Sequence, residues 1–388
     1  MKTRFIRNLL IMFVLSIVLA GCAAGTNIKL GQTAGDHWAI NSTIIFKEHK
    51  KCETSVTVSA IGDMLIHAPV YEDARTEAGF DFTPMLQDVK QYLKESTITI
   101  ANQETMIGGE ALGLSSYPQF NSPFEVGDAL KEVGVDVVTL SNNHTLDRGE
   151  EAILRAIEHW EAIDMMYTGA YKDEVDQQRV RVQETEEGIS FAYLAYTYGT
   201  NGIPIPTGKD YLVNMIDREQ IAADMAEAKD KADAIIVNLH FGTENERMPN
   251  QAQKELAQYV ADLGADVIIG HHPHVLQPVE WLTGEDGKKT LVAYSLGNFL
   301  SSQKEYYQRI GGMLQFTIKK ATKGDDVKVV VEEPAFLPTF VSYNGFSDYR
   351  VLPMFSLSNE ELAGASQVYQ EIKDHLSQWV PELKFIEK

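Results

Sequence analysis

The side chains with the most chemistry to offer lie in residues 268–277, IIGHHPHVLQ. His271, His272 and His274, three of the chain's ten histidines, crowd together there. They follow an apolar β-branched run and a glycine, the pattern of a buried strand that stops at a tight turn. Neutral imidazole is the commonest protein ligand for transition metals, so histidines at the mouth of such a strand suit metal binding. A polar loop whose histidines cap backbone groups is the competing reading.

The same plan recurs elsewhere. VDVVTLSNNH, ADAIIVNLH and ADVIIGHHPH each run from an Asp through an apolar strand to His or Asn. STITIANQE and SVTVSAIGD follow it with a carboxylate at the exit. In open α/β sheets, sites lie beyond the carboxyl ends of the strands. Parallel packing of these segments would deliver Asp63, Glu104, Asn143, His144, His240, His271, His272 and His274 to one rim. Carboxylates, an amide oxygen and imidazoles together suit Mn, Fe or Zn, and a bridging carboxylate among histidines suits two divalent ions. His67 shares the face of Asp63 only if a helical turn begins there, and Asp147 reaches His144 on the same condition. Asp147 could then orient that imidazole or serve as a charge at a helix N-terminus. His271 is expected to support the rim rather than ligate. Asn298, in SLGNF, could hydrogen-bond the rim or hold a turn.

Strands must place these exits. Period-2 or β-branched patterns predict strands over residues 55–61, 96–101, 135–140, 190–196, 234–239 and 267–269. Helical spacing falls between them, over 82–94, 149–163, 218–229 and 251–263. A helix also starts at Ser122-Pro123 and stops near Gly134. Alternation of this kind predicts an α/β fold. Hairpin signals follow residue 284, including one around Lys323-Gly324-Asp325, so part of the sheet should be antiparallel. A terminal helix is expected over 359–379.

The chain has 388 residues, enough for a sizeable core, and 44% hydrophobic content is ordinary for a globular protein. A net charge of −21 argues against nucleic-acid binding and would repel a polyanion at long range. The first 21 residues are not fold. Lys2, Arg4 and Arg7 precede a short apolar run that ends in Leu-Ala-Gly-Cys. This resembles the lipobox of a bacterial lipoprotein, with Cys22 lipidated and the protein held at the extracellular face of the cell membrane. Residues 22–54 read as a tether, with some order near Trp38. With Cys22 acylated, Cys52 is left with no intrachain partner. The folded domain is expected over 55–345, with a C-terminal helical extension packed on it over 346–388.

In order along the chain, GDMLIH, ANQET, SNNHTLDRG, LHFGTE, GHHPHVLQ and YSLGNF resemble the CapA/PgsA family. These are poly-γ-glutamate capsule-synthesis proteins within the calcineurin-like metallophosphoesterase superfamily. The resemblance covers about residues 55–300. It implies a metallophosphatase-like four-layer αββα sandwich with mixed sheets, a two-metal rim, and a role in making, exporting or anchoring poly-γ-glutamate, within a membrane synthetase complex. It further implies that Asp63 and His274 hold the first ion and that Asn143, His240 and His272 hold the second. Glu104 stands where the superfamily has its bridging aspartate, and His144 where it has its catalytic imidazole. Two departures stand out: Leu65 takes the place of a first-strand histidine, and Glu104 is longer than aspartate. The reaction class implied is metal-assisted hydrolysis or transfer on a phosphoester or a γ-glutamyl amide. The competing readings are a polymer-binding scaffold without turnover and a lipid-anchored phosphoesterase unrelated to capsule.

Overall fold

A computed structural model describes residues 52–324 and 326–388. The expected leader, Cys22, the segment near Trp38 and the expected tether up to residue 51 lie outside the described residues, as does Asp325 in the expected hairpin; residues 52–54, expected in the tether, instead begin the first strand and pair with residues 320–322.

Alternation decides the architecture. Side chains of successive strand residues point to opposite faces. In the strand Cys52–Leu65, Val58 and Ala60 face one way and Ile61 the other; in Val267–His271, Ile269 and Ile268 divide likewise. Two mixed sheets result. The larger, of nine strands among the described residues, runs in the order Ser347–Pro353, Asp326–Asn344, Ile310–Lys323, Cys52–Leu65, Ile98–Gln103, Val137–Thr139, Met166–Thr168. Asn298–Ser301 and Lys384–Phe385 pair beside this path. The smaller, of six, runs Leu276–Thr283, Lys289–Leu296, Val267–His271, Ala234–His240, Ser190–Thr197, Arg181–Glu184.

The inner faces meet in one core. Val58, Ile100 and Val137 of the larger sheet share it with Tyr193, Ile236, Ile269 and Leu291 of the smaller. On the far side of the larger sheet, Ile61, Ala101 and Val138 pack with Leu130, Ile153 and Trp160 from the helices Glu125–Val133 and Gly149–Ala162. On the far side of the smaller, Val237, Ile268 and Val292 pack with Met225 and Val260 from Arg218–Lys231 and Gln251–Asp262. The layers are therefore helix, sheet, sheet, helix, the α/β class expected from the sequence.

The repeated Asp at the strand entries has a structural job. Asp136 Oδ2 accepts the Thr99 amide at 2.8 Å, Asp233 Oδ2 the Ser190 amide at 2.9 Å, and Asp266 Oδ2 the Ile235 amide at 2.9 Å. Each carboxylate ties the start of its own strand to the neighbouring strand, which fixes the parallel register and so the level at which the exits emerge. Two glycines permit close backbone approaches at the rim. A Cβ on Gly62 would lie 2.1 Å from the Gly297 carbonyl oxygen, and one on Gly270 would lie 1.9 Å from that of Tyr294.

The boundary expected at residue 345 is not a structural one. Ser347–Pro353 pairs antiparallel with Asp326–Asn344, and Lys384 and Phe385 pair parallel with Ala335 and Phe336. Only Ala365–Ser377 of this segment is α-helical, and its Tyr369, Ile372 and Leu376 enter the core between the sheets. The helix expected over 82–94 is broken into Thr83–Leu86 and Lys90–Lys94. Cys52 is disulfide-bonded rather than a free thiol, contrary to an expectation that rested on acylation of Cys22. Among the described residues no helix is long and apolar enough to cross a membrane.

Candidate metal centre

The exits converge as the parallel strands require. Asp63 lies at the end of the first strand, where register shifts against both neighbours mark a bulge, and its amide donates to the Gly297 carbonyl at 2.8 Å. Bulges re-aim a side chain at a strand end. Glu104 follows the next strand directly, Asn143 and His144 lie in the loop after Val137–Thr139, and His240 and His271 end the two central strands of the smaller sheet. His272 and His274 have positive φ, 97° and 58°. A non-glycine residue in that region is strained, and such strain persists where the surroundings impose it.

Two overlapping ligand groups form. Glu104, His240 and His272 can bring ligand atoms within 4.8 Å of one another, and so can Asp63, Glu104 and His274. Glu104 belongs to both, which is the geometry of a bridging carboxylate. Asn143 Oδ1 lies 2.8 Å from His240 Nε2 and so joins the first group. His274 Nε2 is 3.9 Å from Glu104 Oε1.

These residues fit divalent metal on grounds independent of any relative. Glu104 is fully buried, and neither carboxylate oxygen has a hydrogen-bond partner; His272 Nδ1 and His240 Nδ1 are also buried and unpartnered. Burying a carboxylate without donors is costly unless a cation compensates it. Burial pushes the Glu104 carboxyl well above the usual range, and the Asp63 charge adds to this while His274 opposes it. Burial acts on Asp63 in the same sense, but hydrogen bonds and charge from His271 and His274 outweigh it and hold the carboxyl well below. Burial holds His272 down to about 3 and His240 well below the usual imidazole value, so both present neutral lone pairs. Zinc, manganese or iron would suit this oxygen and nitrogen donor set.

The supporting residues separate from the ligands. His271 Nδ1 lies 3.0 Å from Asp63 Oδ1, and Asn102 Nδ2 donates to the same oxygen at 2.8 Å, so both hold the carboxylate in place. Asn298 Nδ2 donates to Gln303 Oε1 and to the Gln308 carbonyl, which leaves its Oδ1 to accept from His274 Nδ1 at 3.1 Å. That contact fixes the ring with Nε2 toward Glu104. His67 stands outside both ligand groups. It precedes the helix Ala68–Asp73, with Nδ1 3.0 Å from the Leu65 carbonyl and 3.3 Å from the Ser302 amide; burial lowers it to about 4. The helical turn that would have aimed it at Asp63 is absent: Asp63 lies within a strand that runs to Leu65, and the helix starts only at Ala68.

His144 and Asp147 form a separate pair. His144 Nδ1 lies 2.7 Å from Asp147 Oδ2, which also accepts the Phe120 amide at 2.7 Å. The Phe120 ring meets the imidazole edge-on at 4.7 Å. With Nδ1 committed to the carboxylate, Nε2 is the nitrogen free to exchange a proton.

Three residues here had no role assigned from the sequence. Glu244 offers a ligand atom to His272 and His274, Tyr198 packs on His272 at 4.6 Å, and Asn201 Oδ1 accepts from Asn143 Nδ2 at 3.2 Å. Glu244 lies within the LHFGTE motif, which was visible; Tyr198 and Asn201 stand in a loop with no periodic signal.

A centre of oxygen and nitrogen ligands at the exits of a two-sheet α/β sandwich is the class of site defined by this geometry. Residues 57–303 match the family described as bacterial capsule synthesis protein PGA_cap, and the chain belongs to that family. The capsule biosynthesis protein CapA of Bacillus anthracis is 28% identical over 282 residues, covering 70% of this chain and 66% of that protein. The PGA biosynthesis protein CapA of Bacillus subtilis (strain 168) is 30% identical over 205 residues, half of each chain. The chain thus spans one half to just under two thirds of the length of these curated relatives. Among solved structures, the calcineurin-like phosphoesterase YfkN of Bacillus subtilis aligns with a TM-score of 0.42 at 16% identity, covering 72% of this chain and 91% of that one.

Proposed function

We propose that this chain acts in poly-γ-glutamate capsule synthesis, export or anchoring, and that its rim is a divalent-metal centre that hydrolyses the γ-glutamyl amide of the polymer. The observation that carries the reading is the fully buried Glu104 carboxylate, unpartnered at both oxygens and shared by two ligand groups. Asp63, Glu104 and His274 would hold one ion; Glu104, His240, His272 and Asn143 the other. Bound divalent ions activate water near neutral pH and polarise a carbonyl oxygen. The chain's own residues do the rest. Asp147 keeps the His144 proton on Nδ1, and Nε2 exchanges a proton with the departing amine. Phe120 restricts the ring and keeps that nitrogen aimed. Family membership supports the capsule role, and the leader supports a lipid anchor at the extracellular face of the membrane.

The test uses the purified full-length chain with Mn²⁺ and poly-γ-glutamate, with an aryl phosphate in parallel. His144→Ala is expected to lower polymer cleavage by about 10²–10⁴-fold, the usual worth of an acid–base residue, with metal content unchanged. Metal bound and polymer retained without cleavage would make the chain a scaffold instead. Turnover confined to the aryl phosphate would make it a phosphoesterase.

The anchor has its own check. Mass spectrometry of the membrane-extracted chain is expected to show a diacylglyceryl adduct on Cys22. A Cys22 without that adduct would remove the lipid anchor from the proposal.

A further inference from the structure

Three carboxylates, not two, face the imidazoles of the rim. Asp63 and Glu104 are buried, whereas Glu244 is exposed. It lies in the loop after Ala234–His240, and it can meet both His272 and His274 with all three ligand atoms within 4.8 Å. His272 is itself almost wholly buried, and its Nδ1 has no partner.

The loop is clamped on both sides of Glu244. Before it, the Phe241 amide donates to the His271 carbonyl at 3.0 Å. After it, the Asn245 amide donates to the Pro273 carbonyl at 2.8 Å, and Gln308 Nε2 donates to Asn245 Oδ1 at 2.7 Å. Gln277 Nε2 also donates to the Glu246 carbonyl at 2.7 Å. Gly242 and Asn245 take positive φ, 104° and 67°, which turns the segment back over the histidines. Backbone bonds to the HHPH turn thus hold an exposed carboxylate against two buried imidazoles. A surface glutamate of an acidic protein would more naturally extend into water.

We propose that Glu244 is the outward ligand of the metal centre, and that its charge steers the centre away from phosphate dianions and toward the neutral amide carbonyl of a γ-glutamyl chain. The inference rests on the metal-centre reading above. Two divalent ions would bring four positive charges, and Asp63, Glu104 and Glu244 would offset three of them. A centre with less excess positive charge has a weaker Coulombic hold on a dianion. Polarising a neutral carbonyl depends on the Lewis acid and not on net charge. Glu244 approaches from the solvent side, whereas Asp63 and Glu104 are buried.

The experiment compares the full-length chain with Glu244→Gln and Glu244→Asp. Mn²⁺ affinity is measured by equilibrium dialysis, and inorganic phosphate affinity by calorimetry on the Mn²⁺-loaded proteins. The metal-free melting temperature of Glu244→Gln should match the parent, because the side chain is exposed. Glu244→Gln is expected to bind at least one ion on the order of tenfold more weakly, since loss even of a group that only supports a ligand costs that much. It is also expected to bind phosphate several-fold more tightly, and Glu244→Asp, which keeps the charge, is not. Unchanged Mn²⁺ affinity in Glu244→Gln would overturn the ligand assignment, whatever phosphate does. Weaker Mn²⁺ binding with no gain in phosphate affinity would overturn the selectivity. A parent chain that takes up no Mn²⁺ would remove the metal centre itself, a result distinct from both.

Discussion

Glu104→Gln is expected to abolish tight metal uptake while leaving the metal-free fold as stable as the parent or more so. The two effects have opposite signs because one carboxylate serves only the loaded state. Without a cation, both Glu104 oxygens are buried and lack donors, and burial pushes the carboxyl well above its usual range. An amide of nearly the same shape removes that charge and its cost. With a cation, the same change removes the one ligand common to both groups. Metal present at a hundred times its Kd stabilises a native protein by about 2.7 kcal/mol through mass action. Melting curves of the parent should therefore rise with added Mn²⁺, and those of Glu104→Gln should not. A variant with parental metal stoichiometry would remove Glu104 from the centre. A metal-free variant that melts several degrees lower would make the carboxylate structural.

Such a trade is characteristic of sites where function overrides local consistency. It also explains why the centre was legible from the sequence. A carboxylate or imidazole at the exit of an apolar strand violates the hydrophobic pattern at a definite position, and Asp63, Glu104, His240 and His271 each do so. Their convergence followed from parallel pairing, which the Asp residues at the strand entries enforce. What the sequence hid was carried by loops and by long-range order. His67 and Asp63 are close in sequence, yet the start of the helix at Ala68 turns the imidazole toward Leu65 and Ser302. Asn102 looked like part of an exit motif and proves to brace Asp63. Glu244 and Tyr198 reach the rim from loops whose backbone path no periodicity encodes. The C-terminal segment misled for a related reason. The pattern of residues 347–353 is short, and pairing with a strand already in the sheet makes it part of the fold.

Metal uptake should release protons, and affinity should climb with pH from neutrality to about 9. Burial alone would lower His274, but the Glu104 charge, together with the hydrogen bond and charge of Asp63, raises it to about 9. The metal-free centre therefore holds a proton on His274 at pH 7, and an ion must displace it, because a ligating imidazole has to be neutral. The Glu104 carboxyl is also shifted upward, so Glu104 and His274 share the proton that the ion displaces. His272, at about 3, and His240, also shifted down, are already neutral and contribute no proton. The logarithm of Mn²⁺ affinity should thus rise by at least one unit per pH unit below about 9 and flatten above it, as expected for displacement of one or more protons. Calorimetry in two buffers of different ionisation enthalpy counts the protons directly. Glu104→Gln should lower the His274 value by removing its largest partner charge, so proton release at pH 8 on any residual binding should shrink. Affinity independent of pH between 7 and 9, with no protons released, would show that His274 is neutral before the ion arrives and that Glu104 does not govern it.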